Sequence, residues 1–421
     1  MTQNTNEKSQ FWVILTIVFL GFLGISMPYL IFPALFLNPD YSILPTDWSE
    51  ASHAIFLGIT LAAYPLGQFI GSPILGALSD DYGRKQVLAG SLLISAICNF
   101  FTGLAIDFHF LTLLIFSRFT AGIMEGNIAI GRAMAADIKS ISKHKSIGKI
   151  NASASIAYLI GPLIGGLMTD KTLHPWLSAS TPFYFICIFF FFLAAVSVLV
   201  LENKNVKEAT SEILTFWQRI NFIRRVFGLF SNKRLRFLMI ASTIFTLAVD
   251  IFYEFGPVYL TIKWDLNPSQ LIIYNAVLCV TLAFGNAWLP TFSSKYFSKR
   301  SILMFTTCSF AIFLIGTALT DSSNLMLLLF ALSGLVIGLA VTVFTVKISD
   351  SASNTVQGEV MGVQISLRVL GDAVICLCGG ALLLISPKII LIMAAAMSVA
   401  SMTYYGLSSK KYSTTSITGK N

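Results

Sequence analysis

The chain has 421 residues, 55% of them hydrophobic and 11% charged, with 35 phenylalanines and a formal net charge of +8. Soluble domains carry about 25% charged residues, so this balance, with a mean hydropathy of +0.77, excludes a water-soluble globular enzyme. The basic excess has no aromatic-basic module beside it, so no nucleic-acid partner is expected.

Apolar stretches of about 20 residues, long enough to cross a bilayer as helices, fall at 11–37, 53–75, 86–106, 110–136, 148–169, 182–201, 237–262, 270–292, 301–319, 325–346, 360–385 and 388–407. Over such lengths in lipid a helix is the open structure that satisfies its own backbone. The expected fold is therefore an all-α polytopic membrane protein with twelve transmembrane helices. The tail before the first span holds one lysine, Lys8, and no small-residue cleavage site follows, so that span is expected to be retained. Taking the N-terminus as cytoplasmic, 21 of the 28 Lys and Arg fall in cytoplasmic segments. Three (Lys171, Lys263, Lys388) fall on the other side. This bias predicts both termini in the cytoplasm. All six cysteines (98, 187, 279, 308, 376, 378) lie in apolar spans without a CxxC pair, so neither a disulfide framework nor a metal site is expected.

In chain order, the first polar signature is GALSDDYGRKQVL (76–88), between spans 2 and 3. Small Gly76 suits a close helix approach, Gly83 a tight reversal, and Asp80, Arg84 and Lys85 can exchange ionic partners. Span 4 carries SRFTAGIMEGN (117–127) and ends near Asp137; span 5 carries AYLIGPLIGG (157–166). The longest polar interruption, 202–234, divides the chain into a six-helix bundle (1–201), a cytoplasmic linker, and a second six-helix bundle with a short tail (235–421). Ile213, Phe216, Trp217, Ile220, Ile223 and Phe227 recur there at helical spacing among arginines. That pattern fits an amphipathic helix on the cytoplasmic leaflet or a solvated linker.

The halves echo each other. Asp137, Gly148 and Gly165-Gly166 are matched by Asp350, Gly362 and Gly379-Gly380, and the step from single glycine to pair is 17 residues in both. Internal repeats of this kind mark transporters that handle solute near the bilayer midplane. The second-half counterpart of the first loop, SSKYFSKRSIL (293–303), keeps its bases Lys295, Lys299 and Arg300.

The 76–88 loop resembles the signature Gly-x-x-x-Asp-x-x-Gly-Arg-Lys of the major facilitator superfamily, although Asp81 stands where the family usually has a base. Arg118 and Gly122 resemble the span-4 signature of the drug–proton antiporter branch. Gly161, Pro162, Gly165 and Gly166 resemble its span-5 signature, with Ala157 in place of the first glycine; the same run also reads as a small-residue packing face. Asp137 sits where tetracycline-type exporters carry an acid. The resemblance covers the first half and implies a cytoplasmic gate at Gly76, Asp80, Gly83, Arg84, Lys85 and Asp137. It also implies that spans 4, 7 and 11 line a central cavity.

Ionisable groups inside spans are costly and normally face a cavity or a partner. Span 4 holds Arg118, Glu125 and Arg132, seven residues apart on one face, with about 10 Å of rise between neighbours. Span 7 holds Asp250 and Glu254, one helical turn apart, and span 11 holds Arg368 and Asp372. These seven are the candidate substrate and proton site. Asp250 and Glu254 are close enough to repel, so the pair is expected to hold a proton. Alternatively one faces a polar pocket and the other points outward. Arg368 and Asp372 can also pair with each other, and Arg118 can be a structural tie. Tyr29, Tyr64, Gln68, Tyr158, Tyr253, Asn275 and Asn286 are further polar groups within the spans.

The resemblance and the charges together imply a secondary transporter rather than an enzyme. No Walker loop, HExxH or G-x-S-x-G motif is present. The expected activity is proton-coupled antiport of a small organic solute or drug, outward across a bacterial inner membrane. Proton-coupled uptake of a polar solute (amino acid, carboxylate or siderophore) is the alternative. The expected partners are that solute, protons and the lipid bilayer. A monomer driven by the proton gradient, with no cofactor, is expected.

Overall fold

The computed structural model describes residues 2–45, 47–136, 138, 143–171, 173–202, 232–351 and 357–415. Asp137, the side chain of Asp80 and the amphipathic segment expected within 203–231 lie outside the described residues. Among the described residues, twelve helices are long and apolar enough to cross a membrane. They are α1 (Glu7–Leu37), α2 (Glu50–Ser79), α3 (Arg84–Asp107), α4 (Leu111–Ala135), α5 (Ala152–Thr169) and α6 (Thr181–Val200). The rest are α7 (Leu235–Trp264), α8 (Pro268–Ala287), α9 (Lys299–Leu319), α10 (Ser323–Ser351), α11 (Gly362–Leu383) and α12 (Pro387–Leu407). They coincide with the twelve apolar stretches to within a few residues. The largest departures are at the ends of α8 and α10: α10 runs on to Ser351, and α8 stops at Ala287, after which a separate short helix, Leu289–Tyr296, follows with proline in its first turn.

The chain divides into two compact units: Met1–Asn221 with Lys263–Ile272, and Phe222–Ile262 with Ile273–Asn421. In the first unit α2 packs on α4, α3 on α6 and α1 on α5. In the second, α9 packs on α12 and on α10. Lipid is as apolar as the side chains, so helix association rests on close packing rather than on escape from water. Small residues make that packing possible. A Cβ on Gly122 of α4 would stand 3.1 Å from the Gln68 nitrogen of α2 and 2.9 Å from the Tyr64 carbonyl carbon. On α5, a Cβ at Gly161 would stand 3.0 Å from the Leu23 oxygen of α1, and one at Gly165 would stand 2.7 Å from that of Met27. Gly161 and Gly165 thus lie on the face by which α5 meets α1. The second unit has an aromatic core, with Phe252 and Phe330 centroids 4.8 Å apart and Phe245 and Phe310 5.7 Å apart.

Local departures from regular helix fall beside polar residues. Helix α1 tightens into a 3-10 turn at Met27–Leu30, where Pro28 removes a donor. Helix α4 is two segments, Leu111–Met124 and Gly126–Ala136, joined at Glu125. There the Glu125 amide bonds the Gly122 carbonyl at 3.0 Å and the Ile128 amide bonds the Glu125 carbonyl at 3.1 Å. Both are three-residue steps, the 3-10 pattern that often marks a functional joint in a helix.

Candidate transport site

The seven intramembrane charges separate into two clusters, each inside its own unit. In the first, the α2–α4 approach at Gly122 sets Tyr64 against the α4 joint, and Tyr64 OH donates a hydrogen bond to Glu125 Oε2. Glu125 is 5% exposed and Arg118 3%. The Arg118 guanidinium lies 4.5 Å from the Tyr64 ring centroid, 5.6 Å from Phe32 and 6.0 Å from Phe183. Aromatic faces can hold a desolvated cation in this way. Among the described residues, Arg118 Nε and Glu125 Oε1 are buried without a hydrogen-bond partner. Arg132, half-buried, stands over Phe22 at 5.2 Å. Arg118, Glu125, Tyr64, Ser95 and Asn99 line a small cavity bounded by Gly21, Gly24, Ala121 and Phe190.

In the second unit, Arg368 of α11 reaches Asp250 of α7 rather than acting only within its own helix. Its Nε donates to Oδ2 at 2.8 Å and its Nη2 donates to Oδ1. This two-pronged geometry is the strong form of a guanidinium–carboxylate contact. Asp250 is 6% exposed, whereas Arg368 is 47% exposed. One helical turn on, a carboxylate oxygen each of Glu254 and Asp372 lies within 4.8 Å of the other and of Cys376 Sγ. Asp372 Oδ1 is buried without a hydrogen-bond partner among the described residues. The acids brought face to face are therefore Glu254 and Asp372, on different helices, and Asp250 is engaged by Arg368. Spacing along one helix selects neighbours on that helix and does not reveal partners on another. Cys376, four residues past Asp372, escaped the sequence reading for the same reason, as did Ser95 and Asn99. The three donor atoms are also near enough together to hold a metal ion, an arrangement that no CxxC pattern announced.

At the loop signature, Gly83 has φ 92° and ψ 137° between the end of the α2 helix and Arg84. This is backbone that favours glycine, and it supplies the tight reversal. Arg84 and Lys85 are half-buried in the first turn of α3. The close approach expected at Gly76 is not found: among the described residues, nothing lies within 4 Å of where its Cβ would be. In the second half, Lys299 Nζ and Asp350 Oδ2 pair at 2.8 Å, and Arg300 Nη2 donates to the Gly406 carbonyl at 3.1 Å. Asp350 is the residue that the internal repeat aligns with Asp137.

Comparison with known proteins places this arrangement in a family. The profile of the Major Facilitator Superfamily matches residues 14–376. The chain is 27% identical over 363 residues to the tetracycline resistance protein, class H, of Pasteurella multocida, with 84% of each chain covered. It is 27% identical over 312 residues to the quinolone resistance protein NorA of Staphylococcus aureus, covering 67% of this chain and 75% of that one. The crystal structure of the nucleoside transporter NupG matches with a TM-score of 0.70 at 15% identity, over 94% of this chain and 98% of that chain. That last likeness is one of fold alone. With twelve membrane-crossing helices and a family match over most of its length, the chain belongs to the Major Facilitator Superfamily and is a multi-pass membrane transporter.

Proposed function

We propose that this transporter is a proton-coupled antiporter that exports a small organic solute or drug by alternating access, across a bacterial inner membrane and with both termini in the cytoplasm. The observation that carries the proton coupling is the meeting of Glu254 and Asp372 within 4.8 Å inside a membrane-spanning unit. Two carboxylates that close, in a poorly hydrated site, do not both ionise cheaply, so together they hold a proton. Proton entry from outside removes a negative charge one helical turn from the Asp250–Arg368 pair. That shifts the balance of charge available to a bound solute and biases the equilibrium between open states. The names of the resistance proteins aligned above support the solute class and the outward direction. The gradient alone supplies the driving force, with no cofactor and with one chain as the working unit.

The test is flux in inverted membrane vesicles with an acidic lumen, using tetracycline and a quinolone as probes. Antiport predicts accumulation in the lumen that a protonophore collapses. Accumulation in right-side-out vesicles acidified outside would reassign the direction to uptake. Gradient-independent flux in both preparations would overturn proton coupling.

A further inference from the structure

The cavity beside Glu125 has room for the centre of one water molecule, about 10 Å³, which is the lower limit for holding a water. Two of the polar atoms on its lining residues, Arg118 Nε and Glu125 Oε1, are buried without hydrogen-bond partners among the described residues, and the two residues are 3% and 5% exposed. Leaving such groups unsatisfied is expensive. Ser95 and Asn99 add a hydroxyl and an amide to the same lining.

We infer that Glu125 is a second proton-binding site, closed within the first unit, whose carboxyl is accommodated in both its neutral and its ionised form by one water bound between Glu125 and Arg118. Its part in transport rests on the proton-coupled reading above; the site itself does not. The ionised carboxylate takes a donor at each oxygen, and Tyr64 supplies the one at Oε2. At Oε1 the ionised form needs a donor, and the neutral form, carrying its own O–H there, needs an acceptor. A water serves both, turning its hydrogens toward Oε1 in the first case and its lone pair in the second. Arg118 Nε donates to that water in either state, and Ser95 and Asn99 offer acceptors to its remaining hydrogens. The ionisable groups facing this cluster are Arg118 and Arg132 of α4, Tyr64 of α2, Tyr158 of α5, Cys98 of α3 and Tyr29 of α1. Because Glu125 is also the joint of α4, the proton sits where the helix changes its hydrogen-bonding step.

Infrared difference spectra of the full chain in nanodiscs, titrated with pH in the absence of solute, read protonated carboxyl groups directly. The wild type should show at least two titrating carboxyl bands. Glu125→Gln should remove one and leave the other; Glu254→Gln should leave the Glu125 band in place. Gly24→Ala provides a variant with an unstrained backbone, because its Cβ would make ordinary contacts of 3.7 Å with Phe190 and 3.8 Å with Ile186. By narrowing the cavity it should shift the Glu125 band and its titration midpoint, with the thermal midpoint unchanged. A Glu125→Gln spectrum identical to the wild type would overturn the proton site. An unmoved Glu125 band in Gly24→Ala would overturn the water. Loss of gradient-driven flux in the wild type with both bands present would instead overturn only the antiport reading.

Discussion

Arg368 holds Asp250 with two hydrogen bonds, so Asp250→Asn deprives a guanidinium of a bidentate partner within a membrane span. Breaking a fully buried pair costs about 3–5 kcal/mol and an exposed one about 1 or less. With Arg368 half-exposed, we expect about 2 kcal/mol, read as a lowered thermal midpoint in detergent. Adding Arg368→Gln should recover part of that loss, and a strictly additive double mutant would refute the pairing. Glu254→Gln and Asp372→Asn belong to a different experiment. Each fixes one member of the face-to-face pair in a neutral form. Each should abolish accumulation against a gradient while sparing solute exchange at equal pH. In the wild type, accumulation should weaken as the proton-loading side is made more alkaline, since the loaded form needs the proton; in either variant that dependence should vanish. Normal pumping by both variants would move the proton elsewhere. Sequence spacing found all four of these residues, because a charge within an apolar run is conspicuous. It joined Asp250 to Glu254, which share a helix face, since nothing in a linear string says which neighbouring helix supplies Arg368 or Asp372.

Helix positions were legible for a simple reason: a run of about 20 apolar residues has few alternatives in a chain this poor in charge. Interruptions were less so. Pro290 accounts for the break after α8, but the joint in α4 falls at Glu125-Gly126, a pair with no proline. It coincides with a buried carboxylate and with the tight crossing of α2 and α4. That crossing makes a strong prediction about glycine. Gly122→Val would press a branched side chain on the α2 backbone, where even a Cβ would fall inside contact distance of the Tyr64 carbonyl. We expect about 1–3 kcal/mol of destabilisation, together with loss of the Tyr64–Glu125 hydrogen bond. Gly76→Ala and Gly362→Ala, where nothing among the described residues lies within 4 Å, should stay within about 0.5 kcal/mol of wild type. Thermal melts of the three variants side by side decide it, and equal midpoints would mean that α2 and α4 separate easily.

For the whole molecule, the charge bias that orders the loops predicts which reagents reach which face. A cysteine introduced at Lys204 should resist a membrane-impermeant maleimide added to intact cells, whereas one at Lys171 should react. Labelling at Lys204 from outside would invert the topology. A further consequence lies in the unequal lengths of the spans. Helices α6 and α8 have 20 residues, whereas α2 and α7 have 30. At about 1.5 Å per residue these are about 30 Å and 45 Å, against a hydrocarbon core of about 30 Å. The short helices match that core upright, and the long ones must tilt or project beyond it. A bilayer of longer acyl chains would leave α6 and α8 too short while easing the tilt of α2 and α7. Since α7 carries both Asp250 and Glu254, membrane thickness becomes a mechanical load applied to the transport site through the lipid itself.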